Sequence, residues 1–194
     1  MIFIDQAFEN QTFQSVSAAR EDLSKKEFSG CVFKSCDLSE CNLSNSLFID
    51  CTFLDCNLSH LKINGCSLRH VAFEGCKLVG VAFSAVNPFL LSWNFRKCKI
   101  ESCDFSAIKM KHSRFIECSI RRTDFINADL RESDFSSSDL NGSKFHHTNL
   151  EKSDFSGALN YYIDPTSNRL KQARFSYPEA LSLLASFEIK VEIS

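Results

Sequence analysis

Ten cysteines and five histidines are the residues of this chain that could ligate a metal, form disulfides or act as nucleophiles. Their spacing decides among these. The stretch CVFKSCDLSECNLSN, residues 31–45, puts Cys31, Cys36 and Cys41 five residues apart. Structural zinc asks for C-x2-C pairs or for histidine partners, and no C-x2-C pair occurs. His60, His70, His112, His146 and His147 have no neighbouring Cys or carboxylate at triad or metal spacing, and they read as solvated side chains scattered over different sides. The glycines form neither a GxGxxG nor a Walker pattern. The sequence therefore nominates no catalytic, metal-binding or cofactor-binding residue, and a non-enzymatic protein without cofactor is expected.

The element that positions the thiols is a repeat. Stepping by five from Phe33 gives Phe3, Phe8, Phe13, Ala18, Leu23, Phe28, Phe33, Leu38, Leu43, Phe48, Phe53, Leu58, Ile63, Leu68, Phe73, Leu78 and Phe83, and stops at Pro88. A second walk, shifted by two, runs from Leu90 and Phe95 through Phe105, Phe115, Phe125, Phe135 and Phe145 to Phe155. All ten cysteines stand two residues before a member of these walks. Ser, Thr, Ala and Val alternate with Cys there, so the position selects a small volume. Neither a helix (period 3.6) nor a flat strand (period 2) accounts for a step of five. A quadrilateral coil does, with one side per pentapeptide and four sides per turn.

That geometry predicts likeness at a spacing of twenty, and the columns show it. Allowing a two-residue insertion near Pro88, one reads Phe13, Phe33, Phe53, Phe73, Phe95, Phe115, Phe135, Phe155, and another Leu38, Leu58, Leu78, Ile100, Ile120, Leu140. A solenoid of about eight coils, each touching only its neighbours, follows. At a ladder spacing of about 4.8 Å it would be about 38 Å long. Stacked cysteines at that spacing point in parallel, a poor torsion for a disulfide, and packing is the expected role of the thiols.

Composition narrows the setting. Net charge is −2, with no basic patch carrying interleaved aromatics, so direct nucleic-acid binding is not expected. No apolar run approaches the ~18 residues of a membrane span. The N-terminus MIFIDQAFENQTFQ carries Asp5 and Glu9 and does not read as a secretory signal, so a cytoplasmic location is expected.

The (C/S/A/T)-(D/N)-(L/F)-x-x period, seen in CDLSE, CNLSN, TDFIN, ADLRE, SDFSS and SDLNG, resembles the pentapeptide-repeat family over about residues 21–158. The resemblance implies a right-handed quadrilateral β-helix, all-β, with a C-terminal α-helix and strand. The break KLVGVAFSAVNPFLLSWNF and the tail from Asn160 look like the dimeric, topoisomerase-protecting branch, which includes the quinolone-resistance Qnr proteins and the self-immunity proteins for albicidin and microcin B17. It implies a homodimeric DNA mimic acting on DNA gyrase or topoisomerase IV. A structural interaction scaffold with an unrelated partner is the alternative.

Two domains are expected: a β-helix over 1–158, with an irregular first coil over 1–20 and a bulge over 84–94, and a capping and dimerisation module over 159–194. In the tail, Ser176-Tyr177-Pro178-Glu179 fits a capping box, and Ala180, Leu181, Leu184 and Phe187 follow helical spacing. Phe187, Ile189, Val191 and Ile193 then alternate as in a half-buried strand. Leu181, Leu184, Phe187, Ile189 and Val191 are the nominated dimer interface; a plain end-cap is the other reading. In the bulge, Trp93 falls at a small-residue position, so Phe89 and Leu91 are expected to be partly exposed. With the outward Leu47 and Ile49 they would make a contact patch, unless the bulge packs on itself. Residues 123–157 carry seven acids against three bases, and Asp124, Asp129, Asp134 and Asp139 are nominated partner contacts. Asp at that position also caps its own turn.

Overall fold

The computed structural model describes residues 3–89, 91–187 and 189. Each pentapeptide forms one short side of a coil. Its central residue points inward, as in Glu27–Ser29 and Val32–Lys34, where only Phe28 and Phe33 are buried. The corner two residues further on takes the left-handed conformation, with φ of 50° at Asn10 and 52° at Ser35. That conformation costs a residue with a β-carbon about 1 kcal/mol or more. All six glycines of the chain stand at such corners, among them Gly75, whose missing side chain leaves room for the Asp55 carboxylate beneath it.

The sides stack as parallel ladders on four faces. The first face holds Ala7–Glu9, Glu27–Ser29, Leu47–Ile49 and Ser67–Arg69. The second runs from Thr12–Gln14 through Val32–Lys34, Thr52–Leu54, Ala72–Glu74 and Asn94–Arg96 to Arg114–Ile116. The third holds Lys77–Val79, Lys99–Glu101 and Ser119–Arg121. Single bridges such as Asp22↔Asn42 and Asp104↔Asp124 make the fourth. Phe13, Phe33, Phe53 and Phe73 pair in register at steps of twenty, and Phe73 pairs with Phe95 across the break, the two-residue insertion read from the sequence. The first coil, expected to be irregular, pairs in full register (Ala7↔Glu27, Thr12↔Val32), because Phe3, Phe8 and Phe13 already supply its interior.

Phenylalanines fill the second face from end to end, with successive rings near parallel at 4.7 Å for Phe33–Phe53 and 4.9 Å for Phe115–Phe135. A second aromatic column changes sides at the break. It lies on the first face before it (Phe8–Phe28 5.0 Å, Phe28–Phe48 4.8 Å) and on the fourth after it (Phe83–Phe105 4.5 Å, Phe105–Phe125 5.2 Å). All ten cysteines are buried and free. Volume alone does not describe their position, since most donate to a backbone carbonyl of the previous coil. Cys56 Sγ lies 3.4 Å from Phe33 O, and Ser138 Oγ makes the equivalent bond to Phe115 O at 2.6 Å. Burial pushes the Cys41 and Cys51 thiols up to about 11 and Cys66 to about 12.

At the break the first-face sheet ends at Ser67–Arg69. Trp93 does not push the coil outward. It lies inside, 1% exposed, with Nε1 donating to Leu68 O at 3.0 Å and its ring beside Phe83 at 5.2 Å. Leu91 departs from its expected exposure and is buried at 7%, because the inserted residues loop out earlier, at Pro88 and Phe89, and the chain turns back in.

The expected domain boundary at 158 moves. Asn149↔Arg169 and Phe155↔Phe175 extend the ladder, so residues 159–175 form a further coil, its interior supplied by Tyr161, Ile163 and Phe175. The segment that follows, Glu179–Phe187, is a 3₁₀ helix rather than the expected α-helix. Ser176 does not close a capping box, since its Oγ accepts the Gly157 N–H at 3.0 Å, while Leu181 N closes a three-residue turn on Pro178 O. With three residues per turn, Leu181, Leu184 and Phe187 fall in one row. Of the nominated strand, Phe187 ends this helix instead and Ile189 is described, while Val191 and Ile193 lie outside the described residues.

Candidate functional site

The four nominated aspartates do not share a surface. Asp124, Asp129, Asp134 and Asp139 are five residues apart, one on each of the four faces, and they bridge to Asp104, Lys109, Arg114 and Ser119 of the previous coil. Most are also engaged by near neighbours. Asp129 binds Arg131 at 2.7 Å with Lys111 at 3.8 Å, and the Arg131 guanidinium holds its carboxyl below the usual range. Asp139 accepts from Arg121 at 2.9 Å and from Asn160 at 2.8 Å; burial pushes its pKa up, but these bonds outweigh it and leave it lowered. Asp124 faces Lys144 at 3.4 Å, and Asp134 accepts the Ser136 N–H at 2.9 Å. The acidic segment is a ring of turn-capping carboxylates around the rod.

The apolar patch is also divided. Phe89 is 58% exposed, but Arg69 lies over its ring at 5.4 Å and separates it from the half-buried Leu47 and Ile49. A cation over a ring stabilises by about 0.5–1 kcal/mol at an exposed site. Exposed large apolar residues gather instead at the C-terminal end: Leu159, Tyr162, Tyr177, Phe187 and Ile189, against only Ile4 and Phe89 elsewhere among the described residues. Leu181 and Leu184 are half-buried, while Leu183 packs onto the core.

One constellation is absent from the sequence reading. His70 and His112, taken there as scattered, line the same open cleft at the break. One lobe, of about 350 Å3, is bounded by His70, Ser92, Trp93, His112 and Arg114; the adjoining lobe, of about 390 Å3, by His70, Pro88, Leu91, His112, Lys109 and Lys111. The signal was available, because the two histidines occupy equivalent corners two coils apart once the insertion is counted. Among the described residues, no group of three or more His, Cys, Asp and Glu is arranged to hold a metal ion.

A family model described as pentapeptide repeat region matches residues 26–88 and 89–159, together more than half of the chain. Among solved structures, a trypsin-treated form of QnrB1, a plasmid-mediated fluoroquinolone resistance protein, is 24% identical over 97% of this chain and 94% of that one, with a TM-score of 0.57. A second trypsin-treated form is 18% identical, covering 96% of this chain and 100% of that one at a TM-score of 0.50. HetL from the cyanobacterium Nostoc sp., involved in regulating heterocyst differentiation, is 16% identical over 87% and 86% of the two chains at 0.42. No curated protein matches the sequence. The likeness to QnrB1 supports the parallel β-solenoid.

Proposed function

The chain belongs to the pentapeptide-repeat family, and on that premise we propose that it is a non-enzymatic binding rod that engages bacterial DNA gyrase or topoisomerase IV and protects it from a poison of the quinolone or albicidin kind. One observation carries this reading: the likeness to QnrB1 covers 97% of this chain and 94% of that one. The rod would work as a homodimer. Leu181, Leu184 and Phe187, in one row of the terminal helix, together with Ile189 and Val191, are the residues proposed to join the two copies. Asp124, Asp129, Asp134 and Asp139 would meet the enzyme where duplex DNA otherwise lies, and Phe89 would add an apolar contact. Leu91, buried, is withdrawn from that set. A cytoplasmic location goes with this proposal.

The ring of aspartates favours a second reading, a scaffold for another partner, because carboxylates that cap turns and pair with bases present no acidic strip. The two separate in a binding experiment. Immobilised protein should capture purified gyrase, and both added salt and linear duplex DNA should release it. Asp129→Lys and Asp134→Lys lie on adjacent faces, so a loss confined to one would identify the docking face. No capture by folded, dimeric protein would leave the scaffold.

A further inference from the structure

We propose that the cleft at the break is a binding site for a phosphoryl group, free or carried on a small ester. This goes beyond the topoisomerase reading and stands independently of it. Several bases along the rod meet acids on a neighbouring coil, such as Arg20 with Glu40, Arg96 with Glu117, Arg174 with Asp154 and Lys144 with Asp124, while others among the described residues, Lys34 and Lys62 included, stand alone in solvent. What sets the interrupted coil apart is that unpaired bases converge on one cleft there. Residues 84–95 contain no charged side chain, so the bases of the next coil have nothing to pair with on that side. Arg114 stands in register with Asn94. Among the described residues neither Lys109 nor Arg114 makes an ion pair, although Asp129 and Asp134 follow on the coil beyond, engaged by Arg131 and Ser136.

Both histidines line this gap. Asp50 lies 3.3 Å from His70 Nδ1 and Glu132 lies 3.7 Å from His112 Nδ1. A carboxylate on Nδ1 orients the ring by accepting its N–H and leaves Nε2 without that partner. His70, His112, Lys109, Lys111 and Arg114 thus line one open cavity with the Ser92 hydroxyl, and no carboxylate is among the lining residues. Of the lysines and the arginine, Lys111 is shared, with Asp129 at 3.8 Å, and Lys109 and Arg114 are not. Donors on several sides suit a tetrahedral dianion with three free oxygens better than a flat carboxylate with two. Pro88 and Leu91 edge the cleft and leave an apolar margin for the carbon body of an ester.

The test is calorimetric titration of the full chain with inorganic phosphate and, separately, with glycerol phosphate, at constant ionic strength set by chloride. Saturable binding of either, one per chain with a Kd of about 1 mM or tighter, is expected. The double variant Lys109→Glu, Arg114→Glu should weaken it at least ~10-fold, since both positions are exposed and reversal repels the anion. His70→Gln with His112→Gln should weaken it by a smaller factor and keep the fold. Lys34→Glu, on a distant coil, should leave binding unchanged. Heats that never saturate in either arm, or equal binding by the wild type and a charge-reversed double variant with an unchanged circular dichroism spectrum, would overturn the proposal.

Discussion

The two halves of the rod solve the same packing problem with different side chains. Before the break the small inward position is mostly cysteine, seven of the ten; after it, mostly serine and threonine. Both kinds donate to the carbonyl of the coil beneath, but at different lengths: 3.3 Å for Cys76 Sγ to Phe53 O, 2.7 Å for Ser153 Oγ to Leu130 O. The thiol is a weak donor that behaves as a small apolar group, while the hydroxyl needs its bond. The aromatic columns differ in parallel, lining the first and second faces in one half and the second and fourth in the other. Trp93 stands at the exchange, filling the interior where the column crosses. The break is therefore the seam between two packing solutions that share a single ladder.

The largest expected effect separates the halves by pH. Cys41, Cys51, Cys66 and Cys103 are buried and their pKa values are raised from 9.0 to about 11 or 12. The unfolded chain therefore loses these protons first as pH rises. Their contribution to stability is full below about 9 and disappears as pH climbs through 11 to 12. Urea melts should show a steep loss over that window. Amide exchange at its lower edge should open the cysteine-rich half first; equal opening of both halves would contradict the comparison. At neutral pH the thiols should resist a bulky maleimide until urea unfolds the chain.

Next in size is Phe115→Ala, which removes a ring from the one column that both halves share. A cost of about 3–5 kcal/mol in a urea melt is expected. A loss below ~1 kcal/mol would mean that the stack is not what holds the coils together. Smaller again is Ser138→Ala, which strands two buried groups, because Oγ donates to Phe115 O and accepts from Cys118 N at 2.8 Å. About 1–3 kcal/mol is expected. Cys56→Ser should change stability least, by about 1 kcal/mol or less in either direction, since the hydroxyl keeps the same acceptor. A large loss there would show that sulfur volume, not the donor, sets the position.

Much of this was legible in the sequence because a period of five leaves little freedom. The coil, the stacked columns and the two-residue insertion all follow from it. The misreadings arose where that period was set aside or ran out. Summing charge over residues 123–157 ignored that each step of five turns the chain a quarter of the way round, so Asp124 to Asp139 had to lie on four faces. His70 and His112 looked unrelated because the insertion hides their equivalence. Inside the break no pattern says which residue turns in, so Leu91 was placed outside when it is buried, and Trp93, at an inward position sized for a small side chain, was expected to force the coil to bulge there when it packs inside. The terminal helix was assigned by apolar spacing, which fits three residues per turn as well as 3.6 over so short a segment.

The central claim is met most directly by a gyrase supercoiling assay with a fluoroquinolone, into which the purified protein is titrated. The account predicts that supercoiling by the poisoned enzyme returns as protein is added, and that a tail variant such as Leu184→Asp, shown to be folded but monomeric, restores less. No recovery at any concentration of folded, dimeric protein, with fluoroquinolone or with albicidin, would contradict it.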